Sequence, residues 1–145
     1  MNRVYWFTGQ PGSGKTTLAK KLKESLGGIL IDGDTIRKIL GTSQSEVTYT
    51  YQDRLDNSTF ISSLVITLFK LGNTNIFVSS VSPFKHLRDY VKISIPTQEI
   101  YCFSNKKRGR EHLFAKNYEK PTQEYLSMDT GSLSIDSCIK EIKNN

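Results

Sequence analysis

The stretch GQPGSGKT, residues 9–16, decides how the rest of the chain is interpreted. It matches the pattern G-x-x-x-x-G-K-[ST] at every fixed position, which is typical of a loop that binds phosphate groups. An apolar run, residues 4–7, leads into the loop, and Leu18, Leu22 and Leu26 follow it at the spacing of one helical face. The motif is therefore predicted to lie between a buried strand and a helix, which is the context that phosphate binding requires.

The fixed residues of this loop have separate tasks. Glycines allow backbone angles that other residues avoid, so that several N–H groups can point at phosphate oxygens near the start of a helix. Lys15 is predicted to reach the β- and γ-phosphates of ATP, and the Thr16 hydroxyl is predicted to hold Mg²⁺. The predicted ATP-binding residues are Gly9, Gly12, Ser13, Gly14, Lys15, Thr16 and Thr17.

Length and composition predict one globular domain. The chain has 145 residues, of which 37% are hydrophobic and 23% are charged. No apolar run approaches the ~20 residues of a membrane helix, and residues 1–20 lack the core of a signal peptide. We therefore expect a cytoplasmic protein that makes no membrane contact, in which Cys102 and Cys138 are reduced core residues.

Much of the net charge of +6 comes from one segment, residues 104–121, which contains six basic and two acidic residues. A basic run is most often a solvated surface loop. Beside a phosphate-binding loop, however, it also suits a lid over the bound nucleotide. The six basic residues are Lys106, Lys107, Arg108, Arg110, Lys116 and Lys120, against Glu111 and Glu119.

Strand-like runs alternate with helical patterns, which predicts an α/β fold of three layers, with a five-stranded parallel sheet flanked by helices. A short helix after the second strand is expected to place Ile36, Ile39 and Leu40 on one side. Because ligands collect beyond the carboxyl ends of parallel strands, the loops that follow these strands should form one crevice. The predicted strands are residues 4–7, 29–31, 76–78, 100–103 and 125–128.

Two carboxylates favour a kinase over other users of this loop. The Asn-Lys-x-Asp sequence typical of GTPases is absent, whereas Asp32 and Asp34 directly follow the second strand. One carboxylate can order the Mg²⁺ shell, a role that we assign to Asp32, while Asp34 takes a proton from the attacking hydroxyl. The alternative for Asp34 is that it only caps the helix that starts at Thr35.

Cationic side chains near these carboxylates suit an anionic acceptor. Arg37 lies one helical turn beyond Asp34, and Arg54 and Asn57 stand three residues apart near the start of a long helix, with Tyr49 just before them. Each arginine alone would usually form a surface ion pair. Their grouping around one crevice favours anion binding.

The sequence resembles the adenylylsulfate kinase family, whose members transfer the γ-phosphate of ATP to the 3′-hydroxyl of adenosine 5′-phosphosulfate. The resemblance extends from Val4 to about Thr130 and implies a P-loop kinase fold for the single domain, residues 1–145. The blocks that carry it are residues 6–9, 31–37, 53–54 with Asn57, 81–83, 118–119 with Pro121, and 129–130.

The family pattern also implies roles for individual residues. It makes Asp34 the base, and Tyr49 and Phe114 fall where the family has two aromatic side chains that sandwich the acceptor base, each face contributing ~1–3 kcal/mol. The implied acceptor-binding residues are Asp34, Arg37, Tyr49, Arg54, Asn57, Val81, Ser82 and Phe114.

The sequence departs from the family in its lid, a short basic segment at about residues 104–121. Only residues 104–113 separate Phe103 from Phe114, whereas the family has a helix and a longer lid there, and Thr59 and Phe60 replace a second basic position. Three kinds of molecule are candidate acceptors: adenosine 5′-phosphosulfate first, another activated nucleotide such as cytidine diphosphoramidate, or a nucleic acid. A nucleotide-binding module without activity is the non-enzymatic alternative, and a homodimer is among the states that the sequence allows.

Overall fold

The computed structural model describes residues 1–40 and 50–145, and in these ranges a five-stranded sheet lies between two layers of helices. The strands are β1 (Val4–Thr8), β2 (Ile29–Asp32), β3 (Ile76–Ser79), β4 (Thr97–Phe103) and β5 (Tyr125–Asp129). The helices are α1 (Lys15–Leu26), α2 (Gly33–Ile39), α3 (Tyr51–Leu71), α4 (Lys85–Ser94) and α5 (Ile135–Lys143), with a short 3-10 helix at Glu111–Leu113.

All strand pairs are parallel, and the order across the sheet is β2-β3-β1-β4-β5. The first strand is central because its aromatic and β-branched residues fit a position that is covered on both faces. Val4 pairs with Ile76 on one side and with Thr97 on the other. The predicted α/β fold with a five-stranded parallel sheet is therefore confirmed.

Each face of the sheet has its own hydrophobic core. On one face, α1 and α5 cover Phe7, Phe77 and Ile100, and the free thiols of Cys102 and Cys138 are buried in this core. On the other face, residues of α2, α3 and α4 pack against the side chains of Val4, Trp6, Ile31, Ile76 and Val78. The two cores produce the three layers that the alternating pattern predicts.

The expectation for the short helix after the second strand is wrong in part. Ile29 is 40% exposed because β2 is an edge strand, and Ile39 is 71% exposed. Only Ile36 of the predicted apolar side is buried. The short helix α2 thus contributes one side chain to the core, and Leu40 lies beyond its last residue.

The long helix α3 begins at a defined cap. Thr50 Oγ1 accepts a hydrogen bond from the Asp53 backbone N–H, and the Asp53 carboxylate accepts one from the Thr50 N–H, which is a complete capping box. Fixing the start of α3 places Arg54 and Asn57 in its first two turns, where both side chains are buried. Among the described helices, none has the length and apolar character needed to cross a membrane.

Candidate active site

The phosphate-binding loop has the backbone that its glycines predict. Gly9 has φ of 150°, and a Cβ at this position would lie 2.2 Å from the carbonyl oxygen of Cys102 in the neighbouring strand β4. Gly14 has φ of 91° and directly precedes α1. The loop is also held from the end of β5, because Thr130 Oγ1 donates a hydrogen bond to the Ser13 carbonyl at 2.7 Å. Only glycine meets both the angle and the contact at position 9.

Lys15 is enclosed by this loop. Its side chain is buried, and Nζ donates hydrogen bonds to the Gln10 carbonyl at 2.8 Å and to Ser13 Oγ at 3.4 Å. Burial lowers the pKa of Lys15 to about 8, and the nearby negative charge of Asp34 opposes part of that effect. Because a nearby anion raises the pKa of an amine, a phosphate bound at the loop would stabilise the protonated form of Lys15.

The loop forms one wall of a cleft of about 290 Å³ at the carboxyl ends of the strands. Gly9 and Ser13 are buried within the loop and do not line the cleft, and Phe114 lines a second cleft described below. Tyr49 lies outside the described residues. The predicted site residues that line the cleft are Gly12, Gly14, Lys15, Thr16, Thr17, Asp32, Asp34, Arg37, Arg54, Asn57, Val81 and Ser82.

The two carboxylates have different surroundings. Asp32 Oδ2 accepts hydrogen bonds from the Thr35 N–H at 3.3 Å and from Thr35 Oγ1 at 3.1 Å, so Asp32 is the N-cap of α2. The alternative that Asp34 caps this helix is therefore wrong, because the helix already begins at Gly33. Asp34 lies in the first turn of α2, exposed along the cleft.

Thr16 and Asn57 both line this cleft. Thr16 Oγ1 is hydrogen-bonded to Ser79 Oγ at 2.8 Å. Asn57 Nδ2 donates to the Gly33 carbonyl at 3.5 Å, and among the described residues the buried Asn57 Oδ1 has no hydrogen-bond partner. A buried acceptor without a partner costs free energy unless a ligand supplies a donor.

The cleft is strongly cationic. Five basic side chains line it against the two carboxylates, and two of the basic ones come from the segment of residues 104–121. Arg37 and Arg54 are only 5% and 6% exposed. The five are Lys15, Arg37, Arg54, Arg108 and Arg110. Such a charge balance suits ligands that carry several negative charges.

Phe114 belongs to a second cleft of about 300 Å³ that adjoins the first. Arg54 and Pro83 line both clefts. The second cleft also contains Tyr51 and Phe84, whose rings meet edge to face with centroids 5.2 Å apart. Aromatic walls beside a cationic cleft suit a flat base joined to an anionic group.

Comparison with known proteins identifies the family. The sequence profile of adenylylsulphate kinase matches residues 1–129. The chain belongs to the adenylylsulphate kinase family. It is 32% identical to the adenylyl-sulfate kinase of Prochlorococcus marinus, over 96% of this chain and 80% of that protein. It is 29% identical to the probable adenylyl-sulfate kinase of Pyrococcus abyssi, over 90% of this chain and 87% of that one.

Solved structures agree on the fold of this adenylylsulphate kinase family member. The Mycobacterium tuberculosis APS kinase CysC in complex with AMPPNP and APS superposes with a TM-score of 0.76 at 20% identity, covering 99% of this chain and 96% of that one. At such low identity the similarity establishes the fold alone. The family resemblance carried by the sequence blocks is confirmed by the profile match.

The basic segment of this family member lies against the phosphate-binding loop. Arg108 Nη1 donates to the Gly12 carbonyl at 2.9 Å, and Nη2 donates to the Thr130 carbonyl at 2.9 Å. The other four basic residues of the segment, Lys106, Lys107, Lys116 and Lys120, are exposed. The sequence indicated the charge of the segment, but not that Arg108 and Arg110, of its six basic residues, would line the cleft.

Several side chains at the site carry no local signal in the sequence. Ser79 is hydrogen-bonded to Thr16, Tyr51 lines the second cleft, and Gln10 is hydrogen-bonded to Ala115. The residues next to each of them in the sequence do not indicate these contacts. Ser79 directly follows the third predicted strand, so its place at the crevice is expected, whereas its hydrogen bond to Thr16 is not. The contacts of Gln10 and Tyr51 depend on segments that are distant in sequence.

Proposed function

We propose that this protein transfers the γ-phosphate of ATP to the 3′-hydroxyl of adenosine 5′-phosphosulfate. The observation that carries the proposal is the position of the Asp34 carboxylate in a cleft that has Lys15 at the phosphate loop and the buried guanidinium groups of Arg37 and Arg54. A carboxylate in a cleft whose cationic groups can bind two anionic nucleotides suits proton transfer from a hydroxyl of one nucleotide as it attacks the γ-phosphate of the other.

The phosphate loop would hold the donor. Its backbone N–H groups and the N-terminus of α1 face phosphate oxygens, Lys15 contacts the β- and γ-phosphates, and Arg108 and Arg110 add positive charge from the lid. Charge stabilisation of this kind is usually a large part of phosphoryl-transfer catalysis. The Mycobacterium tuberculosis APS kinase, solved in complex with AMPPNP and APS, supports two nucleotides on this fold.

The oxygen atoms near the loop fit a magnesium ion. Thr16 Oγ1 and the Asp32 carboxylate line the cleft, and hard oxygen ligands of this type suit Mg²⁺. The two bonds from Thr35 both end on Asp32 Oδ2, so Oδ1 is the atom suited to the metal's water shell. When bound, Mg²⁺ would neutralise phosphate charge.

The acceptor would lie across both clefts. Asp34 takes the proton from the 3′-hydroxyl, Arg37 and Arg54 bind the phosphosulfate, and Asn57, whose Nδ2 donates to the Gly33 carbonyl, lines the same part of the cleft. The base packs on Phe114 in the second cleft. The matching role of Tyr49, on the other face of the base, stays a prediction from the resemblance.

The test is an assay with ATP, Mg²⁺ and adenosine 5′-phosphosulfate, in which ADP and the 3′-phosphorylated product appear together. We expect Asp34→Asn to lower kcat by about 10²–10⁴-fold, which is the usual contribution of a positioned base. Asp136→Asn is a matched control, because Asp136 also lies in the first turn of a helix but away from this cleft. Lys15→Ala should abolish turnover. A fully active Asp34→Asn enzyme would contradict the proposal.

The metal role of Asp32 can be separated from its capping role. Serine caps helices about as well as aspartate but lacks a carboxylate, so Asp32→Ser should keep the stability that Asp32→Ala loses, about 1 kcal/mol. Both variants should need more Mg²⁺ for half-maximal activity. If Asp32→Ser has the Mg²⁺ dependence of the wild type, Asp32 serves only as a cap.

A different activated nucleotide is the second candidate acceptor. Phe60, which replaces a basic position of the family pattern, is 40% exposed, and the lid is short. A panel of nucleotides that includes cytidine diphosphoramidate and adenosine 5′-phosphosulfate, scored by ADP release, separates these acceptors. An oligonucleotide in the same panel tests the nucleic-acid alternative, whose binding would weaken steeply with salt.

A further inference from the structure

Gln10 lies in the phosphate-binding loop, yet its side chain has no task in the mechanism proposed above. Its Nε2 donates a hydrogen bond to the Ala115 carbonyl at 2.9 Å, and its Oε1 accepts one from the Ala115 N–H at 2.8 Å. A side-chain amide offers the same donor and acceptor as a peptide group, so this amide pair satisfies both backbone groups of one residue. The contact joins two segments that are 105 residues apart.

Ala115 is the residue by which the middle of the lid is attached. The structure describes all of residues 104–121, and the buried residues of that range are Ala115 and, at its end, Pro121. Apart from the 3-10 helix Glu111–Leu113, the same range has no regular secondary structure. A segment with few buried side chains takes its position from its few specific contacts. The amide pair with Gln10 is therefore a main determinant of where the lid lies.

The residues next to Ala115 form a wall of the second cleft. Phe114 and Leu113 both line it, and the Leu113 carbonyl accepts a hydrogen bond from Arg54 Nη2 at 2.5 Å. Arg54 comes from the acceptor side of the site, whereas Gln10 comes from the donor side. The short segment of residues 113–115 is thus held from both sides at once.

The remaining contacts of the lid are farther from this wall. Arg108 joins the lid to Gly12 and Thr130 at one end, and the Tyr118 hydroxyl lies 2.7 Å from Thr8 Oγ1 at the other. Neither contact is within two residues of Phe114. Removing the Gln10 side-chain bonds should therefore loosen the wall and leave both ends of the lid attached.

We propose that Gln10 is a positioning residue that couples the donor site to the acceptor site through the lid. The inference rests on the proposed function, because it assigns Phe114 to the acceptor base. Phosphate bound by the amides of the loop fixes Gln10, Gln10 fixes Ala115, and the Phe114 ring is then held where the base stacks. Each nucleotide thereby raises the affinity for the other, as linkage requires.

The test compares Gln10→Met, which keeps the length of the side chain without its hydrogen bonds, with Gln123→Met, a control at an exposed glutamine. We expect Gln10→Met to raise the Kd of adenosine 5′-phosphosulfate, measured with AMPPNP bound, on the order of 25-fold, because each lost bond changes the equilibrium about fivefold. The effect of AMPPNP on acceptor affinity should nearly vanish, while kcat at saturating acceptor changes less than about threefold. Unchanged acceptor affinity and coupling in Gln10→Met would overturn the inference.

A second measurement needs no nucleotide. An exposed trypsin site lies beside the wall at Lys116, so the rate of tryptic cleavage there reports how firmly residues 113–115 are held. Gln10→Met should be cleaved about ten times faster than the wild type, and Gln123→Met at the wild-type rate. Equal cleavage rates would overturn the role of Gln10. If the wild type does not bind adenosine 5′-phosphosulfate, the proposed acceptor is wrong, and the cleavage rates then decide the role of Gln10 alone.

Discussion

Replacing Arg88 should destabilise the protein more than replacing any exposed cation. Arg88 and Glu99 are each 1% exposed at their side chains, and Nε lies 2.6 Å from Glu99 Oε2. The same guanidinium donates to the Ser82 carbonyl at 2.6 Å and to the Glu119 carbonyl at 2.5 Å, and it lies 5.5 Å from the centre of the Tyr118 ring. One side chain thus holds the loop after β3 and the end of the lid.

The expected loss of stability follows from the groups that Arg88→Met leaves without their hydrogen-bond donor. Breaking a buried ion pair by removing one partner usually costs about 3–5 kcal/mol, because the other charge stays buried. Lys92 Nζ remains 2.8 Å from Glu99 Oε1, which compensates part of that charge. The Ser82 and Glu119 carbonyls also lose bonds to a charged donor, each worth about 1.5–3 kcal/mol and not additive. We expect a total loss of about 3–4 kcal/mol, toward the lower end of the ion-pair range.

Urea denaturation followed by fluorescence measures this loss, since Trp6 is the single tryptophan and is buried. Lys92→Met is the control, because Lys92 is 15% exposed and its loss leaves the Arg88–Glu99 pair intact. The double variant Arg88→Met/Glu99→Leu should recover stability relative to Arg88→Met, since no unpaired charge remains on Glu99. A loss below about 1 kcal/mol for Arg88→Met, or no recovery in the double variant, would refute the reasoning.

Three further predictions concern other parts of the site. Because burial lowers the pKa of Lys15 to about 8 and bound phosphate favours the charged amine, binding of AMPPNP at pH 8 should take up about half a proton more in the wild type than in Lys15→Arg, and at about pH 6.5 the two proteins should differ little. Calorimetry in buffers of different ionisation enthalpy measures the uptake, and uptake that persists in Lys15→Arg would contradict the assignment. Gly9→Ala should lower the free energy of unfolding by about 2–4 kcal/mol more than Gly27→Ala, because both glycines have positive φ but only Gly9, of these two, would place a Cβ against backbone. Equal losses of stability in urea denaturation would show that the contact with Cys102 has no cost. Adding adenosine 5′-phosphosulfate should change Trp6 fluorescence emission, because Trp6 Nε1 donates to Ser82 Oγ at 3.2 Å in the loop that lines the cleft. Ser82→Ala should reduce that change, and an identical change in Ser82→Ala would show that this hydrogen bond does not transmit the signal.

The parts of the fold that sequence predicts are those with local causes. The glycines and Lys15 of the loop, the apolar run of β1 and the periodic leucines of α1 each constrain only their own segment. The strand, the loop and the helix lie where predicted, although Leu26 at the end of α1 is 39% exposed. Parallel strands between helices then leave few arrangements, so the crevice at the carboxyl ends of the strands follows from topology.

The parts that sequence does not predict depend on partners that are distant in the chain. The exposure of Ile29 follows from the edge position of β2, which pattern alone does not reveal. The cap at Asp32 depends on the residue at which the strand ends, and boundaries of this kind vary by a residue or two. The Gln10 side chain is hydrogen-bonded to Ala115 only because the lid is folded against the phosphate-binding loop.

The central position of β1 also has a consequence for how the nascent chain acquires activity. Its two neighbours, β3 and β4, begin at Ile76 and Thr97. β1 therefore cannot be paired on both sides until the chain has been synthesised through β4. Long-range pairing of this kind is slow and leaves apolar edges open to chaperones or to aggregation. During refolding, the capacity to bind nucleotide should therefore return together with protection of the β1 amides from hydrogen exchange, as one late and cooperative event.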